Sequence, residues 1–122
     1  MVTTDDVRNL ALSLPETEQM EHWGKPSFRV RNKIFAVIQP DGKSLVIKTT
    51  QDDRLAYTMM DPDVYRVPDS FNNLAFMVIR LDRVAFEECH NLIIQAWRLV
   101  TPKKVVKAYN EVSGRSQTDG DR

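Results

Sequence analysis

The residues best suited to bind a ligand are basic side chains clustered between positions 25 and 48. In "SFRVRNK", Phe28 and Val30 alternate with Arg29 and Arg31, so both arginines are expected on one face of a β-strand. Such a face attracts phosphate groups, and neighbouring basic residues would extend it: Lys25, Lys33, Lys43 and Lys48. The alternative interpretation is the ordinary solvated face of a half-buried sheet.

A second basic segment, "TPKKVVK", places Lys103 and Lys104 in the first turn of a helix that begins at Pro102. Free backbone N–H groups at that helix end and two ammonium groups would together attract an anion. Arg98 and Lys107 would enlarge this patch if the fold brings them close. The alternative is that solvent screens a small unfavourable interaction between the lysines and the helix dipole.

Other residue patterns give no support for catalysis or metal binding. His22 and His90 are isolated, and the single cysteine, Cys89, precedes His90 on a predicted helix. Adjacent helical residues point about 100° apart, so this pair cannot act as nucleophile and base. The four glycines are too scattered to form a phosphate-binding loop. We therefore predict that the protein is not an enzyme and uses no metal and no cofactor.

The composition indicates one water-soluble domain. The chain has 122 residues, of which 42% are hydrophobic and 28% are charged. Its 17 basic and 17 acidic residues cancel, which argues against coating nucleic acid by charge alone. The sequence lacks a signal-peptide pattern and an apolar run long enough to span a membrane. We expect a monomeric cytoplasmic protein with no membrane partner.

Hydrophobic periodicity predicts the order α-β-β-β-α-β-β-α-α. Helices are expected over residues 4–14, 51–60 and 84–100 and after Pro102; strands are expected as a meander over 27–50 and again over 64–68 and 74–82. This order predicts an α+β, two-layer fold, with an antiparallel sheet of about five strands packed by helices. Residues 1–113 would form the single domain, and residues 114–122 a mobile tail.

Several local features are also predicted. Thr4 would cap the first helix, Thr101 would cap the last, and residues 16–22 would form an acidic connector. The buried face of the long helix is expected to include Phe86 and Leu99, and Val112 to belong to the apolar stripe of the last helix. In "HWGKPSF", the glycine and proline indicate a turn, His22 a loop residue, and Trp23 an indole that packs over one end of the sheet and donates to a backbone carbonyl.

The order of several motifs resembles the MmcQ/YjbR family of small bacterial proteins. The motifs are Leu14-Pro15, an acidic stretch before Trp23-Gly24, the run "PSFRVRNKIFAVI" and the late segment "AWRLVTPKKV". Together they cover about residues 5–110. Glu16 and Thr101 depart from the family pattern, which often has glycine and alanine there, and both departures suit loop and cap positions.

The resemblance implies a CyaY-like or secretion-chaperone-like fold and a DNA-binding function through a double wing of sheet hairpins. It gives no catalytic residues. The matched positions are interpreted mainly as structural residues, with Lys33 and Lys103 as anion contacts. Our leading expectation is therefore a DNA-binding module. The alternatives are a chaperone-like adaptor that binds another protein through its exposed sheet face or an edge strand, and a small-molecule binder or unrecognised enzyme with a pocket near Trp23 and Trp97.

Overall fold

The computed structural model describes residues 2–113 and contains four α-helices, one short 3-10 helix (Asp69–Phe71) and six strands in that range. The helices are α1 (Thr4–Ser13), α2 (Gln51–Met60), α3 (Phe86–Val100) and α4 (Lys103–Ser113). The strands are β1 (Thr17–His22), β2 (Lys25–Val30), β3 (Lys33–Ile38), β4 (Ser44–Lys48), β5 (Tyr65–Arg66) and β6 (Phe76–Arg80). The predicted α+β class is confirmed. The predicted tail at 114–122 lies outside the described residues.

The strands form one antiparallel sheet in the order β1-β2-β3-β4-β6-β5. The predicted meander corresponds to β2, β3 and β4. As predicted, β6 is an interior strand, because it lies between β4 and the short edge strand β5.

The prediction of an acidic connector at residues 16–22 was wrong, because Thr17–His22 forms the edge strand β1. All six of its residues pair with β2, from Thr17 opposite Val30 to His22 opposite Lys25. No side chain of β1 is fully buried, so its sequence lacks the apolar alternation that marks a half-buried strand. Hydrogen bonding to β2 holds this strand in place, and charged side chains suit a sheet edge because they discourage pairing with other chains.

Two tight turns connect the first three strands. Trp23 (φ 54°) and Gly24 (φ 80°) join β1 to β2, and Arg31 (φ 50°) and Asn32 (φ 71°) join β2 to β3. Two-residue turns with positive φ at both positions match the twist of antiparallel strands. Trp23 is 86% exposed at the tip of its turn. It does not pack over the sheet as predicted, and His22 ends a strand rather than lying in a loop.

The core lies between one face of the sheet and the helices. Two rows of side chains cross that face in register: Phe28, Ala36, Ile47 and Met77 in one, and Ile38, Leu45, Ile79 and Tyr65 in the other. All four helices contribute side chains to the same cluster, including Ala11, Tyr57, Ile93 and Tyr109. The arrangement is therefore two-layered, as predicted.

The long helix α3 buries a broader central stripe and less of its ends than expected. Cys89, Leu92, Ile93, Ile94, Ala96, Trp97 and Val100 are buried. Phe86 is 55% exposed and stacks on His90, while Leu99 is 45% exposed. Both residues were predicted on the buried face, but Phe86 lies in the first turn and Leu99 on the flank of the stripe. Val112 was also predicted in an apolar stripe, but at 89% exposure it projects from the last turn of α4.

The predicted helix caps need two corrections. The N-cap of α1 is Thr3, not Thr4, because the Thr3 side chain accepts from the backbone N–H of Asp6 and the Asp6 carboxylate accepts from that of Thr3. Thr101 was expected to cap α4. Its hydroxyl instead donates to the carbonyl of Trp97 in the last turn of α3.

Trp97 connects three parts of the fold. Its side chain is fully buried, and its indole N–H donates to the backbone carbonyl of Pro15 at 2.9 Å. The ring also packs edge-on against Tyr109 of α4, with centroids 5.0 Å apart. This one residue therefore joins α3 to the junction between α1 and β1 and to α4. The indole–carbonyl contact that the sequence suggested for Trp23 is made by Trp97.

We predict that Trp97→Ala lowers the free energy of unfolding by about 3–5 kcal/mol, because it removes a large buried side chain. Trp97→Phe should cost about 1–3 kcal/mol, because it keeps most of the packing but leaves the Pro15 carbonyl without its donor. Urea denaturation followed by circular dichroism measures both values.

The matched control is Trp23→Ala, which changes the other tryptophan at an exposed position and should alter stability by no more than about 0.5 kcal/mol. Equal destabilisation by the Trp23 and Trp97 variants would contradict the central role assigned to Trp97.

Candidate functional site

The face of the sheet that points away from the helices is called the open face here. One residue from each strand forms a row across it: Met20, Ser27, Val37, Val46, Val78 and Arg66. Val37 and Val78 are buried although they lie outside the main hydrophobic cluster. Longer neighbouring side chains therefore cover the centre of this face, and the character of those side chains decides what the face can bind.

Those longer side chains are largely basic. Alternation along the strands places Lys25 and Arg29 on the open face with Ser27, and Lys48 on the same face as Val46. Arg66 on the edge strand β5 completes four residues that we call the basic set: Lys25, Arg29, Lys48 and Arg66. Glu18 lies opposite Arg29 on β1 and is an acidic residue of the same face. Positive charge outnumbers negative charge along these strands.

Arg29 is held in place by uncharged partners. Its Nε donates to the Ser27 hydroxyl at 3.1 Å, and one terminal nitrogen donates to the Asn32 side-chain oxygen at 3.0 Å. The other terminal nitrogen lies 3.4 Å from Nδ1 of His22. These contacts orient the guanidinium without neutralising it, so its charge remains available to an anion.

Lys25 and Arg66 line one open cleft of about 360 Å³ on this face. Val46, Val78, Pro68 and Phe71 also line it. The cleft combines apolar side chains with a cation on strand β2 and another on strand β5. Since neighbouring strands are about 4.8 Å apart, these two strands are separated by roughly 19 Å, a span that suits an extended ligand.

Arg54 of α2 fixes the loop along one side of this cleft. Its guanidinium donates to the backbone carbonyls of Phe71 at 2.8 Å, Leu74 at 2.6 Å and Phe76 at 3.1 Å. It also donates to the side chain of Gln51. Hydrogen bonds from a charged donor are the stronger class, so the loop has a defined shape although it lacks regular secondary structure over most of its length.

Arg80 and Lys48 on the open face each contact a neighbouring side chain. Arg80 forms a two-point ion pair with Asp82, with the shorter contact at 2.7 Å, and the pair holds the pKa of Asp82 below its ordinary value. The ammonium of Lys48 lies 5.1 Å from the centre of the Phe76 ring, a cation–π contact that leaves the charge intact. Lys48 therefore stays in the basic set, whereas Arg80 is neutralised locally.

Arg31 and Lys33 do not share the open face with Arg29 in the way the sequence suggested. Arg31 lies in the β2–β3 turn, and its guanidinium makes two contacts with the Glu16 carboxylate, the shorter at 2.8 Å. The expected alternation fails because β2 ends at Val30 and the chain reverses immediately after it. Lys33 is exposed beside that turn, at the start of β3.

Lys43 lies in the β3–β4 turn, at the opposite end of the sheet from Arg31. Asp41 organises that turn: its carboxylate accepts from the backbone N–H groups of Lys43 at 2.8 Å and Ser44 at 2.9 Å, and from the Ser44 hydroxyl at 2.8 Å. Gly42 adopts φ 71°, a conformation that suits glycine. The hydrogen bond from the Lys43 amide is the main reason that the pKa of Asp41 is lowered.

Lys103 and Lys104 belong to the helical layer rather than to the open face. They are exposed in the first turn of α4, which packs against α3 through Tyr109 and Trp97. Lys103 lines a cleft with Arg98 and Lys107, as the sequence suggested, but Glu111 also lines it. Arg98 is further held by the side chains of Gln95 and Asn110. This second patch is separate from the basic set.

The described residues that were considered for catalysis, metal binding or a ligand pocket lie in surroundings that suit a structural role. Cys89 is buried, and desolvation raises its pKa to about 12, so the thiol remains protonated and unreactive near neutral pH. Within residues 2–113, histidine, cysteine and acidic side chains do not form a group of three that could hold a metal ion. Trp97 is fully buried while Trp23 is almost fully exposed, so the two do not line a shared pocket.

Sequence reasoning missed Arg66. The signal was present in "VYRVP", where Arg66 lies between Tyr65 and Val67, but a two-residue edge strand gives too short an alternation to assign a face.

Among the described helices, none is long and apolar enough to cross a lipid bilayer.

Comparison with known proteins finds a family model and similar relatives. The model described as YjbR matches residues 12–99. The uncharacterised proteins Mb2600 of Mycobacterium bovis and Rv2570 of Mycobacterium tuberculosis are each 27% identical to this chain, and each alignment covers 93% of this chain and 100% of the relative. The crystal structure of Deinococcus radiodurans protein DR2400, which contains a DUF419 domain, superposes with a TM-score of 0.74 at 23% identity, covering 93% of this chain and 89% of that one. This last likeness supports the fold.

We predict that Asp41→Asn destabilises the protein at pH 7 by about 1 kcal/mol, because a neutral amide replaces a charged acceptor and hydrogen bonds to charged groups are the stronger class. Because the folded-state pKa of Asp41 lies below the ordinary value of 3.8, its stabilising effect is present above pH 3.8 and is lost as the pH falls further. The difference between wild type and variant should therefore shrink on acidification. Denaturation measured at several pH values between 7 and 3 gives this difference in the free energy of unfolding. The contributions of the other carboxylates are the same in both proteins, so they cancel in the comparison. A pH-independent difference would count against the assigned role.

Proposed function

The chain belongs to the YjbR family, and on that basis we propose that it binds DNA through the open face of its sheet. The observation that carries the proposal is the basic set, four cations on a face that no described helix covers. Three ion pairs are found within residues 2–113, Arg8–Asp5, Arg31–Glu16 and Arg80–Asp82. None of them involves the basic set.

This proposal changes the contact surface expected from the sequence. The DNA contact surface expected from the sequence, a double wing of sheet hairpins, included Arg31, which is paired with Glu16. In the revised proposal, Arg29 and Arg66 are the main phosphate contacts, because neither guanidinium group forms an ion pair with a carboxylate of residues 2–113. Lys25 and Lys48 add charge between and beside them. Lys33 and Lys43 lie at opposite ends of the sheet and would contact only a longer DNA.

The number of available cations sets the expected strength of binding. Four phosphate contacts on duplex DNA give a slope of about −3.6 in a plot of log K against log salt. The net charge of the whole chain is zero, so little long-range attraction adds to these contacts. We therefore expect affinities in the micromolar range at low salt, with a strong dependence on ionic strength.

A second candidate function is protein binding through α2. This helix has no buried residue, and three of its large apolar side chains are exposed: Leu55 at 61%, Met59 at 74% and Met60 at 60%. Exposed apolar side chains on one short helix are typical of a helix that docks on a partner. This would place the adaptor surface on α2 rather than on the sheet face or edge that the sequence suggested.

We predict that Arg29→Ala/Arg66→Ala weakens binding to a labelled DNA duplex at low salt by at least about tenfold and reduces the salt slope by about 2. Fluorescence anisotropy titrations at several salt concentrations measure both quantities. The control is Lys103→Ala/Lys104→Ala, which removes the same charge from the helical layer and should change affinity less than about threefold.

The DNA proposal fails if wild type does not bind near about 10 µM at low salt, or if the control pair weakens binding as much as the open-face pair. Adaptor function through α2 instead predicts that Leu55→Gln/Met59→Gln abolishes complex formation with a partner protein.

A further inference from the structure

Trp23 occupies an unusual position for a tryptophan. Tryptophan is highly buried on average in folded proteins, yet this side chain is 86% exposed at the tip of the β1–β2 hairpin. The other tryptophan, Trp97, is fully buried. An exposed tryptophan does not contribute the stabilisation that burial of its large ring would give, so its position calls for another explanation.

The backbone at this tip is also strained for the residue it carries. Trp23 has φ 54°, a region that asparagine, aspartate and glycine enter most easily in turns of this kind. A bulky side chain in left-handed geometry costs about 1–2 kcal/mol. Gly24 beside it has open space where a side chain would begin, so its positive φ, and not crowding, is what favours glycine at that position. Strain retained in an exposed turn is a mark of functional sites.

The surroundings of Trp23 connect it to the open face. Its ring meets the His22 ring edge-on, with centroids 6.3 Å apart and planes at 82°. His22 in turn lies 3.4 Å from the guanidinium of Arg29, and its cross-strand partner is Lys25. An exposed aromatic ring, a histidine and two cations therefore follow one another along the β1–β2 hairpin.

We infer that Trp23 is a stacking platform for an unpaired base, and that the preferred ligand is single-stranded nucleic acid. This inference rests on the proposed function, since Lys25 and Arg29, which both lie on β2 after the turn, would contact phosphates of the strand that leads from the stacked base onto the open face. Every base has an aromatic face, so stacking on an exposed indole does not require a particular sequence. In a duplex both faces of each internal base are already stacked, which makes them unavailable to Trp23.

The flanking cations favour a nucleic acid over a protein partner at this site. A protein hot spot built on tryptophan is normally ringed by residues that exclude water, whereas Trp23 is 86% exposed at a turn tip, with the His22 ring on one side and Lys25 and Arg29 nearby. An aromatic ring followed by cations along the same hairpin matches the bases and phosphates of a single strand.

The test compares wild type, Trp23→Ala and Trp23→Phe in binding a labelled single-stranded oligothymidylate of roughly 16 nucleotides and a duplex of the same length. Trp23→Ala should weaken single-strand binding by about 5- to 100-fold, while duplex binding changes little. Trp23→Phe should retain most of the affinity, because phenylalanine also stacks. An oligouridylate of the same length forms a further arm, and stacking predicts a similar loss with it.

Two additional readouts separate stacking from a loss of charge. Adding the oligonucleotide should quench tryptophan emission in wild type but not in Trp23→Phe, whose remaining Trp97 is buried. Trp23→Ala should leave the salt slope unchanged, whereas Arg29→Ala should reduce it by about 0.7 for a single strand.

The possible outcomes have distinct meanings. If Trp23→Ala binds the single strand as well as wild type while Arg29→Ala/Arg66→Ala weakens it, stacking is overturned and the phosphate-binding proposal stands. Equal weakening of single-strand and duplex binding by Trp23→Ala also overturns stacking. If wild type binds neither form, the proposed function fails and this inference fails with it.

Discussion

The hydrogen bond from the buried Trp97 indole to the Pro15 carbonyl is the contact on which the arrangement of the two layers depends. It ties the last turn of α3 to the point where α1 ends and β1 begins. The same ring packs against Tyr109 and so fixes α4 on the other side of α3. Tyr57 of α2 packs on Tyr65 on the same side of the sheet, so all four helices lie on one face and no described helix covers the opposite face.

The consequence for function lies in how the strands distribute charge. Each strand sends alternate side chains into the core and onto the open face, so a sequence with no net charge can still present a locally basic surface. An ion pair neutralises Arg80 on that surface, and Arg31 lies in a turn where Glu16 pairs with it, while uncharged partners orient Arg29 without neutralising it. The difference between these arginines depends on which residues neighbour them in space, not on their spacing in the sequence.

The two tryptophans exchange the roles that local sequence suggested for them. Trp23 lies between a histidine and a glycine in a segment that reads as a turn, and the expectation was that its ring would cover the sheet. A two-residue turn with positive φ at both positions instead directs the chain straight from β1 into β2. The hidden strand β1 caused this error, because a polar edge strand held by backbone hydrogen bonds has no apolar alternation to reveal it.

By itself the sequence determined the α+β class, the meander, the helix positions and the resemblance to the YjbR family, because periodicity and turn residues are local properties. It also identified Lys25, Arg29 and Lys48, whose strands alternate regularly. Only the tertiary structure decided that Arg66 lies on the same open face, that Glu16 engages Arg31, and that Trp23 is exposed while Trp97 is buried. Each of these depends on pairing between segments distant in the chain, and such pairing is set by the packing of the whole domain.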